Sequence, residues 1–176
     1  MTLKSTICLT VLGRERPGIV AAITGVLLDS DCNIRDSTMT LLSGEFAMML
    51  IVELPQGMSP RALERALFEV QRRFDLTVAT KRLDSDEAFM PRPNPKTVWS
   101  ITIYGGDRKG IVHHVAALLA RKGMSILKLK TRVISSLEGA GLVSIRALSH
   151  PRVDKEQVRR ELQEMAVRFG VEVSLS

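Results

Sequence analysis

The chain has few aromatic residues, only two cysteines and no long hydrophobic run. Aromatic residues make up 4% of its 176 residues, with one Trp and one Tyr. No apolar stretch approaches the ~20 residues that a membrane-spanning helix needs, and the segment Met1-Thr2-Leu3-Lys4 lacks the pattern of a signal peptide. Cys8 and Cys32 are not spaced as metal ligands, so we interpret them as small core residues in a reducing compartment. These absences predict a cytoplasmic protein.

Catalytic and cofactor-binding motifs are also missing. The sequence has no Ser-His-Asp arrangement, no G-x-S-x-G segment and no Walker loop. His113 and His114 are adjacent, and neighbouring helical residues diverge by about 100°, so they are poorly placed to chelate one metal ion. We therefore expect no catalysis, no metal site and no cofactor.

One short segment occurs twice, and the second copy begins 92 positions after the first. Each copy follows a short apolar strand and precedes a run with helical periodicity. The first copy comprises Gly13, Arg14, Glu15, Arg16, Pro17, Gly18, Ile19 and Val20. The second comprises Gly105, Gly106, Asp107, Arg108, Lys109, Gly110, Ile111 and Val112. A repeat of this length is too long for a solenoid unit and predicts two copies of one small domain.

The positive charge lies in the second copy. Residues 1–88 carry 10 Lys and Arg against 12 Asp and Glu, a net charge of −2. Residues 89–176 carry 15 against 7, a net charge of +8. This asymmetry predicts that the two copies differ in their ligand or partner.

Each copy reads as strand, helix, strand, strand, helix, strand. With right-handed crossovers this order predicts an α+β fold made of two ferredoxin-like βαββαβ units in tandem. We predict a first domain at 1–83, a proline-rich linker at 84–96 and a second domain at 97–176. The face of the first sheet opposite the helices carries Cys8, Thr10 and Leu12, which predicts partial burial against another unit or chain.

The glycine turns are the candidate ligand sites. We expect Gly13 to take a positive φ, Pro17 to lie in the first helical turn, and Gly18 to let a ligand approach the helix start. Unpaired N–H groups there favour an anion such as a carboxylate. Glu15 and Asp107 occupy matching places and could hold an ammonium group or cap the helix. The alternative is that these glycines only permit a tight turn.

The second strand of each copy is also polar. Asp36, Thr38 and Thr40 alternate in the first copy, after Asn33. In the second copy Lys128, Lys130 and Arg132 alternate instead. The basic stripe either protects a sheet edge from pairing or binds an anionic ligand or acidic partner. Between the strands of the second copy we predict a turn at Gly139-Ala140-Gly141.

The Gly-x-x-Arg-Pro-Gly-Ile-Val turn after a first strand resembles the ACT domain, a small regulatory module that binds amino acids at interfaces between units. The segment Cys32-Asn33-Ile34-Arg35-Asp36-Ser37, followed by Leu42-x-x-Glu45-Phe46, resembles more closely the family of two-unit ACT proteins that repress transcription of the glycine cleavage system. The resemblance covers almost the whole chain. Lys109 stands where this family often has Pro, and Glu15 where Asp is more usual.

This resemblance implies a non-catalytic regulator that binds a small, glycine-like amino acid and controls transcription of amino-acid metabolism through a protein partner. The implied ligand-binding positions are residues 13–20, Asn33, Asp36 and residues 106–112. We also expect a homodimer or higher oligomer, without direct contact to nucleic acid.

Two other functions stay open. The chain could be a general allosteric partner of a metabolic enzyme, as other ACT proteins are. It could also be a basic RNA-binding module, since its pI is 9.7, but such modules stack bases on aromatic residues of the central strands. Trp99 and Tyr104 are an odd number of positions apart and are predicted to point to opposite faces.

Overall fold

The computed structural model describes residues 5–84, 94, 97–106, 108–135 and 140–176. The chain divides into two compact units, Met1–Pro91 and Arg92–Ser176, called the first and the second unit below. Most of the predicted linker and the predicted site residue Asp107 lie outside the described residues. None of the described helices is long and apolar enough to cross a bilayer.

The first unit contains four strands and two helices. Its antiparallel sheet has the strand order β2-β3-β1-β4. The elements are β1 (Thr6–Arg14), α1 (Ile19–Asp29), β2 (Asn33–Leu42), β3 (Glu45–Glu53), α2 (Pro60–Phe74) and β4 (Thr77–Leu83).

The second unit repeats this arrangement, with the strand order β6-β7-β5-β8. Its elements are β5 (Val98–Gly106), α3 (Ile111–Arg121), β6 (Ser125–Ser135), β7 (Ala140–Leu148), α4 (Lys155–Phe169) and β8 (Val171–Leu175). The predicted α+β fold of two ferredoxin-like units is therefore confirmed.

Alternation along the central strands places one core in each unit. Ile7, Leu9 and Val11 of β1 are fully buried beneath the helices. Thr10 on the other face is only partly buried, and Leu12 is 45% exposed. Because side chains of a strand alternate between faces, this pattern is the one that a half-covered sheet requires.

The helices are fixed by local capping where side chains supply it. Ser59 accepts a hydrogen bond from the N–H of Ala62 at the start of α2. Asp154 accepts from the N–H groups of Glu156 and Gln157 at the start of α4. Ser and Asp are among the residues favoured at helix starts, because their side-chain oxygens accept these hydrogen bonds.

Two expected boundaries are wrong. Helix α1 begins at Ile19, so Pro17 precedes the helix and is not in its first turn. The predicted turn at 139–141 fails for Ala140 and Gly141, which pair with Gly106 and Gly105 as the first residues of β7. Gly139 lies outside the described residues.

Candidate ligand site at the glycine turns

The segment from Arg16 to Ile19 forms a tight turn that leads into α1. The N–H of Ile19 points to the carbonyl oxygen of Arg16 at 3.4 Å. Gly18 has φ 96° and ψ −8°, the values of the third residue of a type II turn. Pro17 stands at the second position, where its fixed φ suits this turn. The proline thus shapes the turn before the helix, which explains why the helix starts two residues later than expected.

The second unit has the same turn without a proline. The N–H of Ile111 lies 3.4 Å from the carbonyl oxygen of Arg108, and Gly110 has φ 91° and ψ −9°. Lys109 takes the place of Pro17. The positive φ of the glycine, rather than the proline, is therefore the feature that the two turns share.

Helices α1 and α3 begin without a side-chain cap. Gly18 and Gly110 occupy the N-cap positions, and neither helix start receives a capping hydrogen bond from a side chain. The first N–H groups of a helix have no partner within the helix. Both turns therefore offer backbone donors to a small anion, whereas α2 and α4 use theirs on Ser59 and Asp154.

The glycines that precede the turns serve close packing. Gly13 does not have the positive φ that the sequence suggested. A Cβ atom added to Gly13 would lie 2.6 Å from Cδ2 of Leu76 and 3.2 Å from the carbonyl oxygen of Asp75. Its counterpart Gly105 has φ 151° and approaches Val171, whose Cγ1 would lie 2.8 Å from an added Cβ. Each glycine thus lets β1 or β5 approach the chain where the last strand of its unit begins: the residues just before β4 in the first unit and the first residue of β8 in the second.

Neighbouring groups hold the turns in place. The N–H of Glu15 donates a hydrogen bond of 2.9 Å to the carbonyl oxygen of Gly44, while the Glu15 side chain is exposed. In the second unit, Nδ1 of His114 lies 2.9 Å from the carbonyl oxygen of Gly110. The His114 ring also packs edge-on against Phe169, with 5.0 Å between the ring centroids.

A cavity of about 360 Å³ opens beside the second turn. Six predicted site residues line it: Gly106, Arg108, Lys109, Gly110, Ile111 and Val112. This volume lies within the range of sites for small molecules, about 300–1,000 Å³. Within the described residues, the structure thus gathers these predicted positions around one space.

Several lining residues were not predicted from the sequence. They come from the strands and from the helix: Ile103, Thr131, Val133, Gly141, Val143, Val171 and His113. The strand residues belong to one face of the sheet, because Gly141 pairs with Gly105 and Val133, and Val171 pairs with Gly105. The strand register, once the fold was predicted, was the signal that could have found them.

The electrostatic character of the cavity is cationic. Arg108 and Lys109 are exposed at its rim, and neither has an ion pair with another described residue. The Nε atom of Arg108 would lie 3.7 Å from a Cβ on Gly106, so the guanidinium group lies beside the end of β5. Of the described lining residues, none is acidic.

Only one of the three basic residues of β6 lies beside the cavity. Arg132 borders the cavity at the sheet edge, whereas Lys128 and Lys130 lie farther along the strand. Strand β6 is an edge strand, as the edge-protection interpretation required. Edge protection remains sufficient for the two lysines.

Asn33 and Asp36 do not approach the turn of their own unit. Asn33 pairs with Glu53, while Arg14, beside the turn, pairs with Glu45 at the other end of β3. Eight residues of a strand span about 27 Å. The Oδ1 atom of Asp36 accepts a hydrogen bond from the N–H of Ser37. A ligand role for Asn33 and Asp36 stays a prediction.

The cysteines and histidines show no metal-binding cluster among the described residues. Burial, with a smaller contribution from the charge of Asp31, raises the pKa of the Cys32 thiol. Its Sγ atom lies 3.8 Å from the sulfur of Met58 and packs against the first core. Cys32 is thus partly buried and lies against the core rather than within it.

Comparisons with known proteins identify related chains. A model of the ACT domain matches residues 5–81. The glycine cleavage system transcriptional repressor of Escherichia coli K12 is 30% identical over 135 residues, which cover 75% of this chain and 68% of that protein. A UPF0237 protein of Methanopyrus kandleri is 46% identical over 48 residues, which cover 27% of this chain and 53% of that protein.

Two solved structures match nearly the whole chain, each covering 99% of this chain and 98% of the other. A protein of unknown function from Galdieria sulphuraria has a TM-score of 0.79 at 26% identity. A candidate glycine cleavage system transcriptional repressor has a TM-score of 0.71 at 20% identity and so shows the fold alone. The chain therefore belongs to the ACT-domain family, among the two-unit proteins related to the glycine cleavage system transcriptional repressor.

Proposed function

We propose that the chain is a non-catalytic regulator that binds a small amino acid and controls transcription of amino-acid metabolism through a protein partner. The observation that carries this proposal is the second turn, where Arg108, Lys109 and the uncapped start of α3 border one cavity. The relationship to the Escherichia coli repressor supports the transcriptional role.

The turn suits the carboxylate of an amino acid. Backbone N–H groups at a helix start and the positive end of the helix dipole both favour a negative charge. Arg108 and Lys109 add positive charge at the rim. The ammonium group would bind carbonyl oxygens at the strand ends, since the described lining has no acidic side chain. We therefore assign this site to ligand binding rather than to catalysis.

Control through a partner requires coupling between two binding events. The ligand must change the affinity for the partner, and the partner must then change the affinity for the ligand by the same factor. Glycine is the first ligand to test, because the related repressor belongs to the glycine cleavage system. The net charge of +8 on residues 89–176 favours an acidic partner surface.

An allosteric role on a metabolic enzyme is the second candidate, and the shared ACT fold favours it equally.

RNA binding is disfavoured because the outer faces of the sheets present few aromatic residues on which bases could stack. The first sheet presents Thr10 and Met49 there, and Trp99 packs against the second core instead of facing solvent. Tyr104, 48% exposed, is the one aromatic residue of the described central strands on an outer face.

The transcriptional role is tested by deleting the gene in the organism that encodes the chain and measuring transcripts of the glycine cleavage genes. In cells grown without added glycine, we expect the deletion to raise these transcripts several-fold over wild type. In cells grown with added glycine, we expect the deletion to change them little. A wild-type gene copy should restore repression. A copy encoding both Gly18→Val and Gly110→Val should repress but lose its response to glycine, because valine does not tolerate the positive φ of the turns.

Unchanged glycine cleavage transcripts after deletion would reject the transcriptional role. In that case, amino-acid binding by the purified chain together with a changed enzyme activity would favour the enzyme-partner role. Circular dichroism of the double variant provides the folding control for the glycine response.

A further inference from the structure

The cavity of the second unit has an apolar interior as well as a cationic rim. We propose that it binds a carboxylic acid with a branched aliphatic tail, and that Gly141 is the residue that admits the tail. The head of this ligand is the one assigned under the proposed function, and the tail is an independent inference from the strand register.

Gly141 and Phe46 occupy equivalent positions in the two units. Gly141 pairs with Gly105 across β5 and β7, and Phe46 pairs with Gly13 across β1 and β3. The Phe46 side chain points to the helix side of its sheet and is 1% exposed. The second unit has only a hydrogen atom at this position. The space that a phenyl ring fills in the first unit is therefore left to the cavity in the second.

The residues around Gly141 are aliphatic. Ile103, Val143 and Ile111 are buried, and Val171 and Val133 flank the same face of the sheet. Such a lining gains free energy by burying hydrocarbon. Apart from the cationic residues, Thr131 on the same sheet face and His113 on α3 are the polar exceptions among the described lining residues. A glycine ligand would bury no side chain here and would leave the apolar interior unfilled.

The charges at the rim define the other end of the ligand. Arg108 and Lys109 stand on the turn above Gly110, while the described lining has no acidic side chain. A single carboxylate at the rim with a tail directed to Gly141 satisfies both ends of the cavity. The same chemistry is found in a branched amino acid and in the corresponding acid without an amino group.

The test is isothermal titration calorimetry of the full chain with leucine, 4-methylpentanoate and glycine. Burying one methylene group raises affinity about fourfold, so we expect leucine to bind at least about tenfold more tightly than glycine. Binding of both leucine and 4-methylpentanoate would show that the carboxylate and tail suffice. Binding of leucine alone would support the tail and add a requirement for the ammonium group.

Variants of β7 test the position of the tail. Gly141→Phe should weaken leucine binding at least about tenfold, because the ring would fill the cavity as Phe46 does in the first unit. Leu142→Phe is the matched control, since Leu142 pairs with Tyr104 on the opposite face and its ring would not enter the cavity. If Gly141→Phe does not unfold cooperatively, Gly141→Val gives the smaller obstruction, and it should also weaken leucine binding.

Three results would overturn the proposal. These are glycine binding as tightly as leucine, no binding of either aliphatic ligand, and unchanged leucine binding in a folded Gly141→Phe variant. The first and third leave the proposed regulatory function intact, because that function is measured by transcripts in the deletion strain. If the deletion leaves the glycine cleavage transcripts unchanged while the purified chain binds leucine, the regulatory role is rejected and the ligand proposal stands.

Discussion

Phe46 and Gly141 face equivalent glycines across the sheets of the two units, Gly13 and Gly105 respectively. The two units keep the same strand order and the same turn before the first helix. They differ in the volume of the side chain beneath that turn. The position that holds a buried ring in the first unit therefore borders a cavity in the second.

The ring of Phe46 should contribute strongly to the stability of the first unit. Phe46→Ala removes a fully buried ring and should lower the free energy of unfolding by about 3–5 kcal/mol. Urea unfolding followed by circular dichroism measures this loss. Phe68→Ala is the control, because Phe68 is 51% exposed, and its loss should cost less than about 1 kcal/mol. Equal costs for the two variants would contradict the packing described here.

Two glycines of the first unit should respond in opposite directions to a methyl group. Gly13→Ala forces a Cβ against Leu76 and should destabilise the chain by about 1–3 kcal/mol. Gly25 lies within α1 with nothing within 4 Å of an added Cβ, so Gly25→Ala should stabilise by about 0.5–1 kcal/mol. Thermal unfolding of both variants compares the signs. A stabilising Gly13→Ala would show that the turn does not need the close approach.

The positive φ of Gly18 should make this position sensitive to any side chain. Gly18→Ala should cost about 1–2 kcal/mol, since an L-residue is strained in the left-handed region. Gly18→Asn should cost less, because Asn tolerates this region better. Space is not the limit, since the nearest atom to an added Cβ is Cζ of Phe74 at 3.7 Å. If Asn and Ala cost the same in urea unfolding, backbone strain is not the cause.

The partly buried thiol of Cys32 should make stability fall at alkaline pH. Burial raises its pKa in the folded state, so folding favours the protonated thiol. This contribution is complete below the unfolded pKa, about 8.5, and is lost as the pH rises through the folded pKa. The difference in unfolding free energy between wild type and Cys32→Ala should therefore shrink from pH 7 to pH 10. A constant difference would contradict the raised pKa.

The repeat made the fold predictable, because two matching glycine turns fixed where each first helix begins to within two residues. The same repeat identified Arg108 and Gly110 at the cavity. Residues such as Val171 and Gly141 could not be found in this way, because their place depends on which residues face each other across a sheet. Gly13 shows a second limit. The repeat indicates that glycine is required at this position, but only the packing shows that the reason is the close approach of Leu76 and not a positive φ.

The cavity beside Gly141 also affects the relative thermal stability of the two units. A void lined by aliphatic side chains forfeits contacts that a filled core makes, so the second unit gives up stability that Phe46 supplies to the first. A ligand that fills the space would restore those contacts and stabilise the folded form by an amount that rises with the logarithm of the ligand concentration above its Kd. The stability of the second unit would then depend on the concentration of the ligand, because the position opposite Gly105 is filled only when the ligand is bound.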